Sequence, residues 1–281
     1  MDVRELDEFN KAYLIGLERS AQFSYTTQYF WWKKYAVLSK LIKQIIYSNF
    51  SKQNTIKIID FGCQIGHDIF KLSDELNDYN IIWYGVDIGL DFLKLAKTRA
   101  RLHNHHNFNF LNCSIESPCF KNEKFDIIIT TEVVEHIINT ETSVKCLREI
   151  LKVNGYLIVS TPNIENRAFK LARAILNFFP RQKQRFYKDT ALEFAFKEKE
   201  NYEHKEVEHI NLKKIDEWRQ IFKTAGFYEI RLARGALFYG SRFLDNRPVI
   251  AVLTLLFDRF LDLSNFFISW AYNFFIVLQK K

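Results

Sequence analysis

Short apolar runs alternate with amphipathic segments between residues 56 and 160, and this pattern predicts strands separated by helices. The runs are rich in β-branched and aromatic residues, and the segments between them repeat apolar residues every three or four positions. The predicted strands are Ile56–Phe61, Ile81–Asp87, Phe108–Leu111, Phe125–Thr130 and Tyr156–Ser160. The predicted helices are Ile65–Leu76, Asp91–Leu102 and Thr142–Leu151. This order predicts an α/β fold with a doubly wound, Rossmann-like, mostly parallel sheet.

The flanking regions add helices and two further strands, giving seven in all. Apolar residues recur at helical spacing between Trp31 and Ile46. After the fifth strand we predict helices at Arg167–Phe179, Leu212–Ala225 and Val249–Leu263, and strands at Tyr228–Leu232 and Phe274–Leu278. We therefore expect an N-terminal helical cap over residues 1–54 and one domain over residues 55–281. Within that domain, residues 163–208 form an insert, and residues 245–272 form apolar helices before the last strand.

Composition indicates a folded chain with a modest positive charge. There are 40 Lys and Arg against 33 Asp and Glu, a net charge of +7, and 48% of residues are hydrophobic, which excludes wholesale disorder. The four cysteines show no CxxC spacing, which favours a reducing, cytoplasmic setting. The start of the chain, MDVRELDEF, lacks the apolar segment of a signal peptide. We also predict no transmembrane helix, because the longest uncharged run, residues 263–279, is short and contains polar residues.

The turn after the first strand carries the first candidate chemistry. Asp60 ends the strand, and Gly62 and Gly66 follow it where the next helix begins. Glycines let a backbone approach a ligand closely, and a helix N-terminus offers free N–H groups. Asp87 ends the second strand 21 residues after Gly66, near the spacing of about 20 at which an acid accepts from ribose hydroxyls. The dinucleotide fingerprint GxGxxG is absent, because three residues separate the two glycines and His67 follows them.

Five strings in order resemble the class I S-adenosylmethionine-dependent methyltransferases over roughly residues 56–238. They are IIDFGCQIG, YGVDIGLDFLKLAK, FDIIITTEVVEHI, LREILKVNGYLIVSTPN and HINLKKIDEWRQIFKTAGF. The resemblance implies a seven-stranded sheet and S-adenosylmethionine as the cofactor. It also implies a set of cofactor-binding residues: Asp60, Gly62, Cys63, Gln64 and Gly66 around the methionine part, Asp87 on the ribose, Ile88, Cys113, Ser114 and Ile115 at the adenine, and Glu132 and Val133 at the methionine end.

Two positions depart from the pattern of this family. Gln64 stands where a third glycine is usual, so we expect a cost in backbone freedom there. The acid often found after the third strand is replaced by Cys113 or Ser114. We expect both departures to affect cofactor affinity more than the fold.

The sequence Glu132-Val-Val-Glu-His136 follows the fourth strand and is the candidate catalytic segment. If the segment is helical, Glu132, Glu135 and His136 share one face. The motif is similar to that of ubiquinone-biosynthesis O-methyltransferases, and we predict His136 as the general base, with Glu132 and Glu135 in support. It is also similar to that of small-RNA 2′-O-methyltransferases, in which Glu132, Glu135, His136 and the later His209 would bind a divalent metal. A third interpretation is that the segment only packs the cofactor turn.

The function implied by this resemblance is methyl transfer from S-adenosylmethionine, with a hydroxyl of a glycan, lipid-linked or small-molecule acceptor as the expected substrate. A metal-dependent RNA 2′-O-methyltransferase is one alternative, although no RNA-binding module is readable and nucleic acid is not the expected partner. A non-catalytic binding protein on the same fold is the other.

Two regions indicate how an acceptor or a surface is recognised. Residues 167–188 hold seven basic residues and no acid, so they form either a solvated basic face or a site for phosphates or an anionic membrane. The segment Val249–Leu263 is apolar around most of a helix, with Asp258, Arg259 and Asp262 on one side. We interpret it as core packing or a homodimer face, or as a peripheral contact with the inner face of a membrane.

Overall fold

The computed structural model describes residues 25–103, 105–120, 122–178, 210–239 and 242–281, and within them the apolar runs form a seven-stranded sheet. The strands are β1 (Ile56–Phe61), β2 (Ile81–Asp87), β3 (Phe108–Asn112), β4 (Phe125–Thr131), β5 (Leu151–Pro162), β6 (Phe227–Arg234) and β7 (Asn273–Lys280). Their order across the sheet is β3-β2-β1-β4-β5-β7-β6. The chain therefore builds outward from β1 in both directions, as doubly wound sheets do.

Most of the sheet is parallel, and the last strand runs the other way. β1 pairs in parallel with β2 and β4, β2 with β3, and β4 with β5. At one end of β5, Lys280 Nζ donates to the carbonyl oxygen of Leu151 at 2.7 Å, so the end of β7 lies beside the start of β5. The amide of Asn163, just after β5, donates at 2.6 Å to the carbonyl of Tyr272, just before β7. The predicted mostly parallel, Rossmann-like fold is confirmed.

The helices lie between the strands where the sequence predicts them, with shifted ends. They are α1 (Tyr25–Asn49), α2 (His67–Glu75), α3 (Leu90–Leu102), α4 (Thr140–Ile150), α5 (Arg167–Leu176), α6 (Ile215–Thr224), α7 (Arg242–Asp245) and α8 (Pro248–Leu261), with 3₁₀ turns at Val134–His136 and Asn265–Trp270. α2 begins two residues later than predicted because Gly66 has a left-handed φ of +77°, which a helix excludes. β5 begins at Leu151 rather than Tyr156. Residues 152–154 at its start are half-buried or exposed, so this part of the strand lacks the apolar run from which β5 was predicted.

The described residues divide between two compact units. One comprises residues 38–161, 210–232 and 275–281, and we call it the sheet unit. The other comprises the described residues 25–37, 162–178, 233–239 and 242–274, and we call it the helical unit. The division predicted from the sequence, a cap over residues 1–54 and a domain over residues 55–281, stays a prediction.

The core of the sheet unit is apolar on both faces of the central strands. Ile58 and Ile59 on β1 and Ile127, Ile128 and Ile129 on β4 are fully buried. Strands that are covered on both faces have nearly continuous apolar sequences, and β1 and β4 were therefore predictable from the sequence. The C-terminal part of α1 adds a helical stripe of buried residues, and its members are Leu38, Leu41, Ile42, Ile45 and Ile46.

Candidate cofactor and catalytic site

The carboxyl ends of four parallel strands meet at one edge of the sheet and bring the predicted cofactor residues together. Phe61 at the end of β1 is level with Val86 on β2 and with Thr130 on β4, and Asp87 is level with Asn112 on β3. The segments that follow these strands therefore emerge side by side: residues 62–66, 88–89, 113–115 and 132–136. Ligands of open α/β sheets bind beyond this edge.

The turn after β1 is a compact loop that only small residues can form at one position. Gly62 has φ +74°, and a Cβ there would lie 2.3 Å from Val133 Cγ2, a distance that no side chain accommodates. The amides of Gly62 and Cys63 both donate to the carbonyl oxygen of Val86, at 2.7 and 3.1 Å. The turn is thus fastened to β2 on one side and closed against the segment after β4 on the other.

Gln64 adopts the conformation that the family usually assigns to glycine. Its φ is +48°, and its side chain is exposed. A non-glycine residue in the left-handed region costs about 1–2 kcal/mol, so the expected cost in backbone freedom is present. The amide of Gln64 donates to Asp87 Oδ2 at 2.9 Å, and this bond holds the strained residue in place. Strain of this kind collects at binding sites, where the surrounding structure fixes it.

Asp87 joins two segments of the site through its carboxylate. Oδ2 accepts from the amide of Gln64, and Oδ1 accepts from the amide of Gly89 at 2.7 Å. Each carboxylate oxygen has two lone pairs, so one on each remains for a vicinal pair of hydroxyls such as those of a ribose. Ile88 beside it is 78% exposed and offers an apolar face to an adenine ring. The residues at this edge therefore fit S-adenosylmethionine.

Asn112, at the end of β3, is a positioning residue of the site to which the sequence assigned no role of its own. Its side-chain amide donates to the carbonyl oxygens of Asp87 and Ile88, both at 2.9 Å, and so sets the path of the chain after β2. An asparagine at the end of a strand that neighbours an acid-ended strand was the available signal, because an amide donates where an acid cannot.

The segment after β3 places the predicted adenine-edge residues in three different environments. Ser114 is half-buried, and its hydroxyl oxygen accepts from the amide of Glu116 at 3.1 Å. Ile115 is buried. Cys113 is half-buried, and the amide of Cys119 donates to its Sγ at 3.0 Å. Burial, together with the side chain of Cys119, raises the pKa of the Cys113 thiol to about 11, so it is neutral at physiological pH.

The segment after β4 is not an α-helix, which was the condition for Glu132, Glu135 and His136 to share one face. Glu132 has φ +57°, a left-handed conformation, and only Val134–His136 form a 3₁₀ turn. The amide of Glu132 donates to the carbonyl oxygen of Ser160 at 2.9 Å, and its Oε1 accepts from the Ser160 hydroxyl at 2.7 Å. Bonds to β5 thus turn Glu132 out of helical geometry. The condition for a shared helical face of Glu132, Glu135 and His136 is therefore not met.

Glu135 and His136 form a pair with one buried and one accessible member. Glu135 is fully buried, and its Oε2 accepts from the Thr161 hydroxyl at 3.1 Å. Its Oε1 lies 4.0 Å from His136 Nε2, and the His136 side chain is 30% exposed. The pair approaches through the ring nitrogen Nε2, and His136 is its solvent-accessible member. This arrangement can accept a proton from a ligand at the edge of the sheet.

Metal ligation was the alternative role of this segment. Among the described residues there is no group of three or more His, Cys, Asp or Glu side chains placed to hold a metal ion. His209, the fourth ligand that the alternative requires, lies outside the described residues.

Known proteins are similar to this chain over the part that contains the cofactor edge of the sheet. A family model described as "Methyltransferase domain" matches residues 52–226. A ubiquinone biosynthesis O-methyltransferase from Glaesserella parasuis is 31% identical over 141 residues, which are 47% of this chain and 58% of that protein. Across the first curated relatives, the chain spans between 45% and 63% of their length.

Solved structures share the fold at low sequence identity. A SAM-dependent methyltransferase from Aquifex aeolicus superposes with a TM-score of 0.51 at 11% identity, covering 86% of this chain and 88% of that one. The DszA carbon methyltransferase gives a TM-score of 0.55 at 14% identity, covering 88% and 53%. These identities show the fold alone. Because the second protein is named for transfer to carbon, the fold leaves the acceptor atom open.

Proposed function

The chain belongs to the methyltransferase-domain family and has the class I S-adenosylmethionine-dependent methyltransferase fold, and from this premise we propose that it methylates a hydroxyl oxygen of a glycan, lipid-linked or small-molecule acceptor. The observation that carries the proposal is the Asp87 carboxylate, which joins the turn after β1 to the segment after β2 and keeps a lone pair on each oxygen. The relatives named O-methyltransferases support oxygen as the acceptor atom.

Residues of the sheet edge would hold the cofactor. The turn between Asp60 and Gly66 would surround its methionine part, Asp87 would accept from both ribose hydroxyls, and Ile88 would cover the adenine. Glu132, fixed by Ser160, and Val133, packed against Gly62, would close the methionine end. When bound, S-adenosylmethionine supplies an electrophilic methyl group on a sulfonium sulfur.

His136 is the residue that we place as general base. His136 would accept the proton of the acceptor hydroxyl on its imidazole, and S-adenosylmethionine, when bound, would supply the methyl group to the acceptor oxygen. Glu135 is buried, with Oε1 4.0 Å from Nε2 of the same ring, and its negative charge would favour the imidazolium that forms. Positioned proton transfer of this kind contributes about 10²–10⁴-fold to a rate.

Methyl transfer from tritium-labelled S-adenosylmethionine tests the proposal. We would assay catechol, catechol carrying a farnesyl tail, and methyl glucoside as acceptors, and locate the new methyl group by NMR. The account predicts O-methylated product from at least one of them, and a turnover lowered about 10²-fold or more in His136→Gln. His103→Gln is the matched control, because His103 is exposed and lies at the end of α3.

Two results would contradict the proposal. Full turnover in His136→Gln with the same acceptor would remove His136 as the base. A methyl group found on carbon or nitrogen would remove the hydroxyl acceptor. The same assay with EDTA addresses the metal-dependent alternative, since loss of turnover that manganese restores would replace an imidazole base with a bound metal ion.

A further inference from the structure

α8 in the helical unit exposes its apolar side to solvent and buries the side that carries Asp258. Six large apolar residues share its outer face and are 45–72% exposed: Val249, Val252, Leu253, Leu256, Phe257 and Phe260. At about 100° per residue they lie within a sector centred on Phe260. Leu263 and Phe266 continue the exposed apolar surface beyond the helix end, at 80% and 78% exposure. We call these eight residues the outer apolar face.

The opposite side of α8 holds the charge. Asp258 is fully buried together with the small Ala251, and both lie about 180° from the outer apolar face. Asp258 forms an ion pair with Arg234 and lies 3.6 Å from Lys33 Nζ. Asp262, one turn later, accepts from Arg234 Nη2 at 2.8 Å and also pairs with Lys33.

This buried network fixes which side of α8 faces outward. Two acids and two bases balance one another, with Lys33 and Arg234 nearly excluded from solvent. Rotating the helix to bury its apolar side would expose or separate these charges, and an uncompensated buried charge is costly. Burial and the neighbouring Asp258 also raise the pKa of Tyr29, so this hydroxyl stays neutral beside the network. The exposure of the apolar face is therefore built into the packing.

Aromatic and cationic side chains border the outer apolar face. Trp32 on α1 is 52% exposed, and Arg259, which is exposed, lies over its ring at 5.5 Å. Tryptophan and arginine beside an apolar surface are typical of segments that lie at a membrane–water boundary.

We propose that the outer apolar face docks this protein on an anionic lipid surface, with α8 lying in the plane of the membrane. At 1.5 Å per residue, the 14 residues of α8 extend about 21 Å, which is short of the roughly 30 Å hydrocarbon core. None of the helices among the described residues is long and apolar enough to cross a bilayer. An in-plane position buries the apolar residues and leaves Arg259 and Trp32 at the headgroups.

Charge favours a lipid surface over a second copy of the chain. The one acid of α8, Asp258, is buried and paired with Arg234, so the charge that borders the outer apolar face is the exposed Arg259. The whole chain carries a net charge of +7. Two such chains repel each other, whereas the cytoplasmic leaflet is negative and attracts each basic residue by about 1 kcal/mol.

Vesicle flotation tests this docking. We would compare vesicles of phosphatidylcholine alone with vesicles in which about one third is phosphatidylglycerol. The full chain is expected to float with the anionic vesicles and to bind the neutral ones more weakly. Leu253→Asp with Leu256→Asp is expected to bind about 100-fold less, since each change removes a large apolar side chain from the lipid contact. Both residues are more than half exposed, so the fold tolerates the change.

A matched double variant separates docking from added negative charge. Leu102→Asp with Ile230→Asp places the same two charges at exposed apolar positions of the sheet unit and is expected to float as the wild type does. Tryptophan emission gives a second readout: it is expected to shift to shorter wavelength with anionic vesicles, and the shift is expected to shrink in Trp32→Phe. Equal flotation of both double variants would overturn the proposal. So would a wild type that stays off both vesicles and sediments as a dimer that Leu253→Asp with Leu256→Asp dissociates.

Discussion

The central strands of the sheet unit and helix α8 of the helical unit bury different kinds of side chain, and the contrast separates folding from function. In the sheet unit the fully buried positions of β1 and β4 are mainly isoleucines, and the buried Asp87 at the strand ends is satisfied by two backbone amides. In the helical unit α8 buries Asp258 and exposes Leu253 and Phe260. The first arrangement is what folding requires. The second leaves apolar surface in water, and a surface of this kind marks an interaction site.

The largest expected effect comes from breaking the charge network that the helical unit buries. Asp258→Ala leaves Arg234 and Lys33 without a full counter-charge, and we expect the free energy of unfolding to fall by about 3–5 kcal/mol. Urea unfolding followed by circular dichroism measures this. Asp78→Ala is the control, because Asp78 pairs with Lys52 on the surface and its loss should leave the midpoint unchanged. Equal effects of the two changes would show that the network does not fix α8.

A smaller effect is expected at the most crowded point of the sheet unit. Gly62→Ala places a Cβ against Val133 and keeps a left-handed φ, so we expect a loss of about 2–3 kcal/mol in the free energy of unfolding. Gly226→Ala has a similar φ, but its nearest neighbour is the flexible end of Arg148 at 3.1 Å, so it should cost only about 1 kcal/mol. Adding Val133→Ala to Gly62→Ala should recover the steric part. If the double variant is no more stable than Gly62→Ala, the loss of stability does not come from contact with Val133.

The smallest effect is a gain in stability at the strained residue of the site. Gln64→Gly removes a left-handed side-chain residue, and we expect the free energy of unfolding to rise by about 0.5–1 kcal/mol, measured as an increase in Tm. Asn154→Gly is the matched change, with φ +63° in β5 away from the site. Its gain should be smaller, because asparagine tolerates this conformation better than glutamine. A loss of stability in Gln64→Gly would show that the glutamine side chain stabilises the turn.

The sheet and the cofactor edge were predictable because they depend on local patterns. Apolar runs such as Ile56–Phe61 identify buried strands, and Gly62, Gly66 and Asp87 lie at fixed points relative to them. The conformation of Glu132 was not predictable in this way, because it depends on two bonds to Ser160, 28 residues away on a neighbouring strand. Long-range contacts of this kind override the helical spacing of the motif.

The orientation of α8 was also not predictable from the local sequence pattern. Its sequence placed Asp258, Arg259 and Asp262 on one side, a pattern typical of a solvent-facing polar stripe. The structure buries Asp258, because Arg234 and Lys33, far away in the sequence, supply the opposite charges. Composition therefore indicated an amphipathic helix but did not determine which face would be buried.

Binding of S-adenosylhomocysteine tests the central claim, a cofactor site built around Asp87, most directly. We would titrate this product into wild type, Asp87→Ala and the surface control Asp78→Ala by calorimetry, with thermal unfolding to confirm that each is folded. The account predicts that wild type and Asp78→Ala bind alike, and that Asp87→Ala binds at least about tenfold more weakly, since two hydrogen bonds to a charged group are lost. A folded wild type that does not bind, or equal binding by Asp87→Ala, would contradict it.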